Sequence, residues 1–248
     1  MSALARRRAP QAEADPLRVI EDVDWTLAHN DLDRDGVTRI PGLLDAFDCA
    51  ALRACYGDSE RFRSRIVMQR HGFGRGEYQY FRDPLPALVQ QLRETIYPHL
   101  APVANRWAEQ LRQPQRFPPM HAEFRAQCHA AGQTRPTPLL LRYGPGDYNC
   151  LHQDLYGALA FPLQIVVLLS EPGRDFDGGE LVLVEQRPRM QSRPQVIPLR
   201  RGDAAIFAVN HRPVSGARGA YRVTLRHGVS RVHRGERYTL GIIFHDAA

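Results

Sequence analysis

The chain has 248 residues, 43% of them hydrophobic, which is enough for one domain with a sizeable core. Net charge is +6, but all 33 basic residues are arginine, so the excess reads partly as composition bias and only secondarily as a footprint for a polyanion. No apolar run reaches the ~18–20 residues of a membrane span, and the arginine-bearing N-terminus lacks the apolar stretch of a secretory signal. Cys49, Cys55, Cys128 and Cys150 show neither zinc spacing nor a CxxC pair. These features predict a cytoplasmic protein with reduced thiols and no membrane segment, with a disordered tail over residues 1–16.

Residues 17–135 read as helical support carrying a lid segment. Asp31, Asp33, Asp35 and Gly36 imitate the opening of an EF-hand loop, but the twelfth position is Gly42 rather than a bidentate glutamate, which excludes calcium there. Apolar residues at helical spacing predict helices over 43–57 and 84–112, the second with a break at Pro98, and a short helix near 119–131. Between them, residues 63–86 interleave Arg65, Arg70, His71 and Arg75 with Phe73, Tyr78, Tyr80 and Phe81. Glycines there suit a flexible lid, and the alternative is a β-hairpin over a barrel mouth. The triplet at His121 and Glu123 falls in a helical context that separates the two side chains by roughly 200°, so it is placed on the surface.

From residue 136 to 248 the pattern changes to short strands and turns, at 139–143, 161–170, 180–186, 195–199, 204–209, 221–230 and 237–245. This grammar predicts a mainly β fold with flanking helices on one outer face, a double-stranded β-helix or jelly roll, integrated with the preceding part into one domain. His152 and Asp154 stand two apart, which on extended backbone points both at one ion. His227 shares a strand face with Val223, Leu225 and Val229, so an imidazole points where apolar neighbours point. Two histidines and one carboxylate on one octahedral face leave three open positions, the arrangement of non-haem Fe(II) oxygenases. Arg237 opens a strand with Thr239 and Gly241 on its own face. A buried guanidinium needs an anion, and a dicarboxylate supplies one bidentately. Cys150, beside these residues, is read as a small buried hydrophobe rather than an oxidation-sensitive thiol.

His-x-Asp, then about seventy residues, then His227 and Arg237 ten apart resembles the 2-oxoglutarate/Fe(II)-dependent dioxygenase superfamily. The resemblance implies Fe(II), 2-oxoglutarate and dioxygen, with metal ligands His152, Asp154 and His227 and the distal carboxylate on Arg237. It also implies an aromatic hydroxyl on the strand before the metal triplet, for which Tyr143 is the candidate and Tyr148 the runner-up. Thr239 and Gln164 are expected in the same cavity. The implied reaction decarboxylates 2-oxoglutarate to succinate and hydroxylates a substrate C–H bond. The stretches YNCLHQDLYG, GGELVLVEQRPRMQSR and RHGVSRV through LGIIFHDA are similar to a bacterial family described as oxygenases acting on damaged, alkylated DNA. That points to alkylated DNA or RNA as partner and to DNA repair, with Arg70, Phe73, Arg75, Tyr78 and Tyr80 as candidate substrate contacts. The spacing from His227 to Arg237 is instead similar to prolyl-hydroxylase-type enzymes, and Ile243 stands where alkylation-repair dioxygenases carry a second arginine. Hydroxylation of a protein or peptide is therefore the alternative, and a metal-binding sensor or scaffold is the non-enzymatic one.

Overall fold

The computed structural model describes residues 15–217 and 219–248. Most of the expected tail, residues 1–14, lies outside them, and the first helix already begins at Pro16. In chain order the elements are α1 (Pro16–Glu21), α2 (Trp25–Asp35), β1 (Val37–Ile40), α3 (Ala46–Cys55), β2 (Phe62–Val67), β3 (Gly74–Arg75), β4 (Glu77–Phe81), α4 (Ala87–Gln110) and α5 (His121–Ala130). The strand-rich half follows with β5 (Leu139–Tyr143), β6 (Tyr148–His152), β7 (Leu163–Leu168), β8 (Phe176–Gly178), β9 (Leu181–Gln186), β10 (Arg193–Ile197) and β11 (Ala204–Ala208). It ends with β12 (His211–Gly216), β13 (Gly219–Val229), β14 (Val232–Gly235) and β15 (Arg237–Ile243).

Two antiparallel sheets make the body of the jelly roll. The larger runs β1-β11-β7-β15-β5-β4-β2, and the smaller runs β10-β9-β13-β6-β3 with β12 on the first half of β13. Strands contributed by the first 81 residues sit in both sheets, so the helical part and the strand-rich part share one framework. Both faces of β15 are covered, and every residue of it but the half-buried Tyr238 is buried. Leu240 and Ile242 join the core cluster that includes Ile96, Leu100 and Trp107 of α4, while Arg237, Thr239 and Gly241 turn the other way, into a cavity.

The expected helices are present with tighter ends, but the break at Pro98 is not. α4 runs unbroken past Pro98 and Pro102. An interior proline costs roughly 3 kcal/mol. Burial of Val89, Leu92, Ile96 and Tyr97 on one side and Leu100, Val103 and Trp107 on the other offsets it, at about 1.5–3 kcal/mol for each large apolar side chain.

His121 also departs from expectation. It is 2% exposed rather than on the surface, and its Nε2 lies 2.9 Å from the Phe244 carbonyl oxygen. Positions 121, 124 and 128 share the inward face of α5, so His121 follows Phe124 and Cys128 into the core, while Glu123 remains exposed.

The segment 63–86 takes the hairpin form. β2 and β4 pair from Phe62↔Phe81 to Val67↔Glu77, and β4 continues onto β5. The connection between them crosses to the other sheet, where β3 pairs with β6 and Cys150 N–H donates to the Phe73 carbonyl at 2.9 Å. This crossing needs Gly74: its φ is +126°, and a Cβ there would lie 2.4 Å from the Tyr148 carbonyl oxygen. The hairpin thus straps one sheet to the other beside the cavity.

Candidate functional site

A cavity of about 320 Å³ opens between the inner faces of the two sheets. His152 ends β6, and its direct partner across the ladder is His227 on β13, so the two rings meet at 4.2 Å between centroids. Asp154 follows two residues beyond the strand end. Its Oδ1 is 3.6 Å from His152 Nε2 and its Oδ2 is 3.2 Å from His227 Nε2. The peptide between the two is pinned from outside, because the Gln153 amide donates to Asn210 Oδ1 at 2.7 Å and to the Leu225 carbonyl at 2.8 Å. One donor atom from each of His152, Asp154 and His227 lies within 4.8 Å of the others.

Protonation favours a metal. His152 Nδ1 lies 2.8 Å from the Cys150 carbonyl oxygen, an acceptor only, so Nδ1 carries the proton and Nε2 turns its lone pair to the cavity. Burial, followed by the neighbouring His227, lowers the His152 pKa and keeps the imidazole neutral. Burial would raise the Asp154 carboxyl, but the hydrogen bond and charge of His227, with help from His152 and Tyr156, hold it well below the usual carboxylate range. A carboxylate and two imidazole nitrogens form the donor set that a non-haem ferrous ion takes.

The carboxylate is held from behind by two side chains. Tyr156 Oη donates to Asp154 Oδ1 at 2.7 Å, and Gln164 Nε2 donates to Oδ2 at 2.9 Å. Burial and the Asp154 charge push the Tyr156 phenol far above its ordinary value, so it stays a donor. Gln164 was expected in this cavity from the sequence. Tyr156 was not, although it stands two residues past Asp154 in LHQDLYG.

Arg237 lies on the cavity wall, 2% exposed, opposite Tyr143 in the β15·β5 ladder. Its guanidinium carbon is 5.5 Å from the Tyr143 ring and 6.0 Å from that of Phe176. Its Nε and Nη1 are buried with no hydrogen-bond partner among the described residues. Burial lowers its pKa to about 10, only partly countered by Tyr143 and Glu180. A buried guanidinium without a carboxylate is costly, and an anionic ligand with a forked oxygen pair relieves that cost. Thr239 and Tyr143 line the same end, and Asn149 Nδ2 donates to Tyr143 Oη at 3.4 Å.

Gly179 leaves room for this arginine. At φ +65° its Cβ would sit 2.8 Å from Arg237 Cδ and 2.9 Å from Val232 Cγ2. The ladder between β6 and β13 is irregular here: Val229 pairs with Asn149 and His227 with His152, so β6 carries one extra residue. Gly228 sits at that bulge, where a Cβ would meet the Asn149 carbonyl oxygen at 2.7 Å.

The sequence-derived substrate contacts divide. Phe73 and Tyr78 line the cavity; Tyr80 is buried behind it; Arg70 and Arg75 are exposed outside its wall; Tyr148, the runner-up for the aromatic hydroxyl, is half-buried and does not line the cavity. Phe73 is 48% exposed and stacks on His71 at 5.4 Å. Cys150 is exposed, not a buried hydrophobe, because the bulge turns it away from the core.

Likeness to known proteins agrees with this geometry. Among solved structures the fold is similar to a prolyl-4-hydroxylase from Pseudomonas putida, at TM-score 0.55 and 17% identity over 90% of this chain and 100% of that one. It is similar to an oxidoreductase of the 2OG-Fe(II) oxygenase family from Burkholderia pseudomallei, at TM-score 0.54 and 17% identity over 92% and 94%. A prolyl hydroxylase from Trichoplax adhaerens, solved with a hypoxia inducible factor peptide fragment, follows at TM-score 0.51 and 13% identity over 93% and 90%. Two uncharacterized proteins from two strains of Mycobacterium tuberculosis are each 48% identical over 168 residues, 68% of this chain and 72% of theirs. Residues 76–247 match the Oxygenase-NA family, described as an oxygenase catalysing oxidative methylation of damaged DNA, and the chain belongs to that family.

Proposed function

We propose that this protein is an Fe(II)- and 2-oxoglutarate-dependent dioxygenase that hydroxylates an N-alkyl group on a damaged nucleobase. His152, Asp154 and His227 hold the ion; Arg237 binds the distal carboxylate of 2-oxoglutarate, with Thr239 and Tyr143 alongside. The observation that carries this reading is the buried, unpartnered Arg237 on the wall of the cavity that also holds the three ligating side chains. When bound, the ion supplies oxygen activation coupled to decarboxylation of the co-substrate. The protein's own groups fix the carboxylate and keep the His152 imidazole neutral.

Chemistry also settles the direction in which a methylated base would change. An N-methyl group, one dioxygen and one 2-oxoglutarate give an N-hydroxymethyl group, succinate and carbon dioxide. The N-hydroxymethyl group then loses formaldehyde to leave N–H. An oxygenase of this type removes a methyl from damaged DNA rather than adding one. Phe73 and Tyr78 offer aromatic faces to a flipped base, and Arg70 and Arg75 stand outside where phosphates would run.

The test is an incubation of the protein with ferrous iron, 2-oxoglutarate and oxygen on methylated oligonucleotides and on proline-containing peptides. Formaldehyde from the oligonucleotide, with binding that weakens steeply as salt rises, supports the nucleic-acid reading. A peptide heavier by one oxygen, without formaldehyde, replaces it with the peptide-hydroxylase reading. Succinate that forms without iron, or survives His152→Ala, refutes the metal centre.

A further inference from the structure

The carboxylate of Asp154 is gripped from both oxygens by groups that do not themselves belong to the ligand set. Tyr156 Oη donates to Oδ1 at 2.7 Å and Gln164 Nε2 donates to Oδ2 at 2.9 Å, one donor on each oxygen. Rotation about the Cβ–Cγ bond of Asp154 would lose at least one of these bonds. Asp154 needs such restraint because, unlike His152 and His227, it lies beyond the end of its strand and has no ladder to fix it.

Tyr156 is in turn held by rings. Tyr80 meets it edge-on at 6.3 Å and 88°, Tyr78 meets Tyr80 at 5.4 Å and 87°, and His245 lies 6.1 Å away. The Arg63 guanidinium sits 4.4 Å over the Tyr80 ring and is itself tied to the Pro136 carbonyl at 2.9 Å. Tyr80 and Tyr78 belong to β4, a strand of the larger sheet, so the hydroxyl that orients the carboxylate is referred to a rigid element rather than to the loop that carries it.

We propose that Tyr156 is a positioning residue for the metal-binding carboxylate, forming with Gln164 a two-sided clamp on Asp154 that the β4 tyrosines hold in place. The proposal rests on the ligand set assigned above. Outer partners of this kind tune metal affinity by ~10–100-fold. The clamp acts before any co-substrate enters, so its effect appears in binding of the metal alone.

The experiment titrates purified protein with Co(II) alone, reading affinity by calorimetry and coordination by visible absorption, and records thermal denaturation alongside. Tyr156→Phe keeps the ring and its packing against Tyr80 while removing the donor. It is expected to weaken Co(II) binding by ~10–100-fold and to change the cobalt spectrum, with the unfolding temperature little moved. Gln164→Leu removes the opposite arm and is expected to weaken binding similarly, so a variant that fails to fold does not end the test. Wild-type affinity and spectrum in both variants overturn the clamp alone. Wild-type protein that takes up no Co(II), or His152→Ala that takes it up equally well, overturns the metal centre and the clamp with it.

Discussion

Replacing Arg237 with methionine tests two opposite effects at one residue. In the ligand-free protein the guanidinium is 2% exposed, and its Nε and Nη1 find no partner among the described residues. Burial lowers its pKa to about 10, and at ~1.4 kcal/mol per pH unit this places the cost of the buried charge at roughly 3 kcal/mol. Contacts with the Tyr143 and Phe176 rings return about 0.5–2 kcal/mol of that cost. Arg237→Met keeps the length of the side chain and removes the charge, so the ligand-free protein should gain about 1–2 kcal/mol, or ~2–8 °C in unfolding temperature. Affinity moves the other way. Two charge-assisted hydrogen bonds at ~1.5–3 kcal/mol each are lost, weakening 2-oxoglutarate binding by ~100-fold or more. Thermal denaturation with and without 2-oxoglutarate, with Mn(II) in both arms, reads both effects. At about a hundred times its Kd the co-substrate should stabilise the wild type by ~2.7 kcal/mol and leave the variant almost unmoved. A variant that is less stable without ligand, or that still responds to 2-oxoglutarate like the wild type, refutes the reasoning.

Two further predictions come from the same wall and from two buried histidines, His121 and His245. Gly179→Ala places a methyl 2.8 Å from Arg237 Cδ in a backbone at φ +65°, so KM for 2-oxoglutarate should rise at least tenfold while Co(II) affinity stays within about twofold. Burial depresses His121 and His245 to about 4 each, below their unfolded value, so both contribute stability that is complete above pH ~6.5 and lost as pH falls towards 4. Urea denaturation between pH 7 and 4 should show a loss of up to ~2.7 kcal/mol per pH unit at the steepest, and His121→Gln should remove about half of it. A flat profile across that window would contradict the buried neutral assignment.

What could be read in the sequence followed local rules. The apolar stripes of α4 and α5, the short strands from residue 139 onward and the spacing of His152, Asp154, His227 and Arg237 all reflect backbone periodicity, which sequence carries directly. Two features escaped because they depend on where the chain goes next. Tyr156 acts through a coil segment after β6, where no periodicity says which way a side chain turns. The hairpin of β2 and β4 could be recognised as a hairpin, but its strapping of both sheets depends on the long-range pairing of β3 with β6. His121 is a different case. Its place on one face with Phe124 and Cys128 was available from helical spacing, and a reading restricted to its potential as a metal ligand passed over it.

The extra residue in β6 decides which side chains of that strand share the cavity. A regular strand alternates sides with period two, so residues three apart face opposite ways. Asn149 and His152 are three apart, yet both line the cavity, one beside the hydroxyl of Tyr143 and the other facing His227. The bulge resets the phase of the strand between them. One misaligned rung thereby lets a single short strand reach both the Arg237–Tyr143 end and the His152–His227 end of the cavity. Without that reset of phase, Asn149 and His152 would stand on opposite faces of the sheet and one of them would leave the chamber.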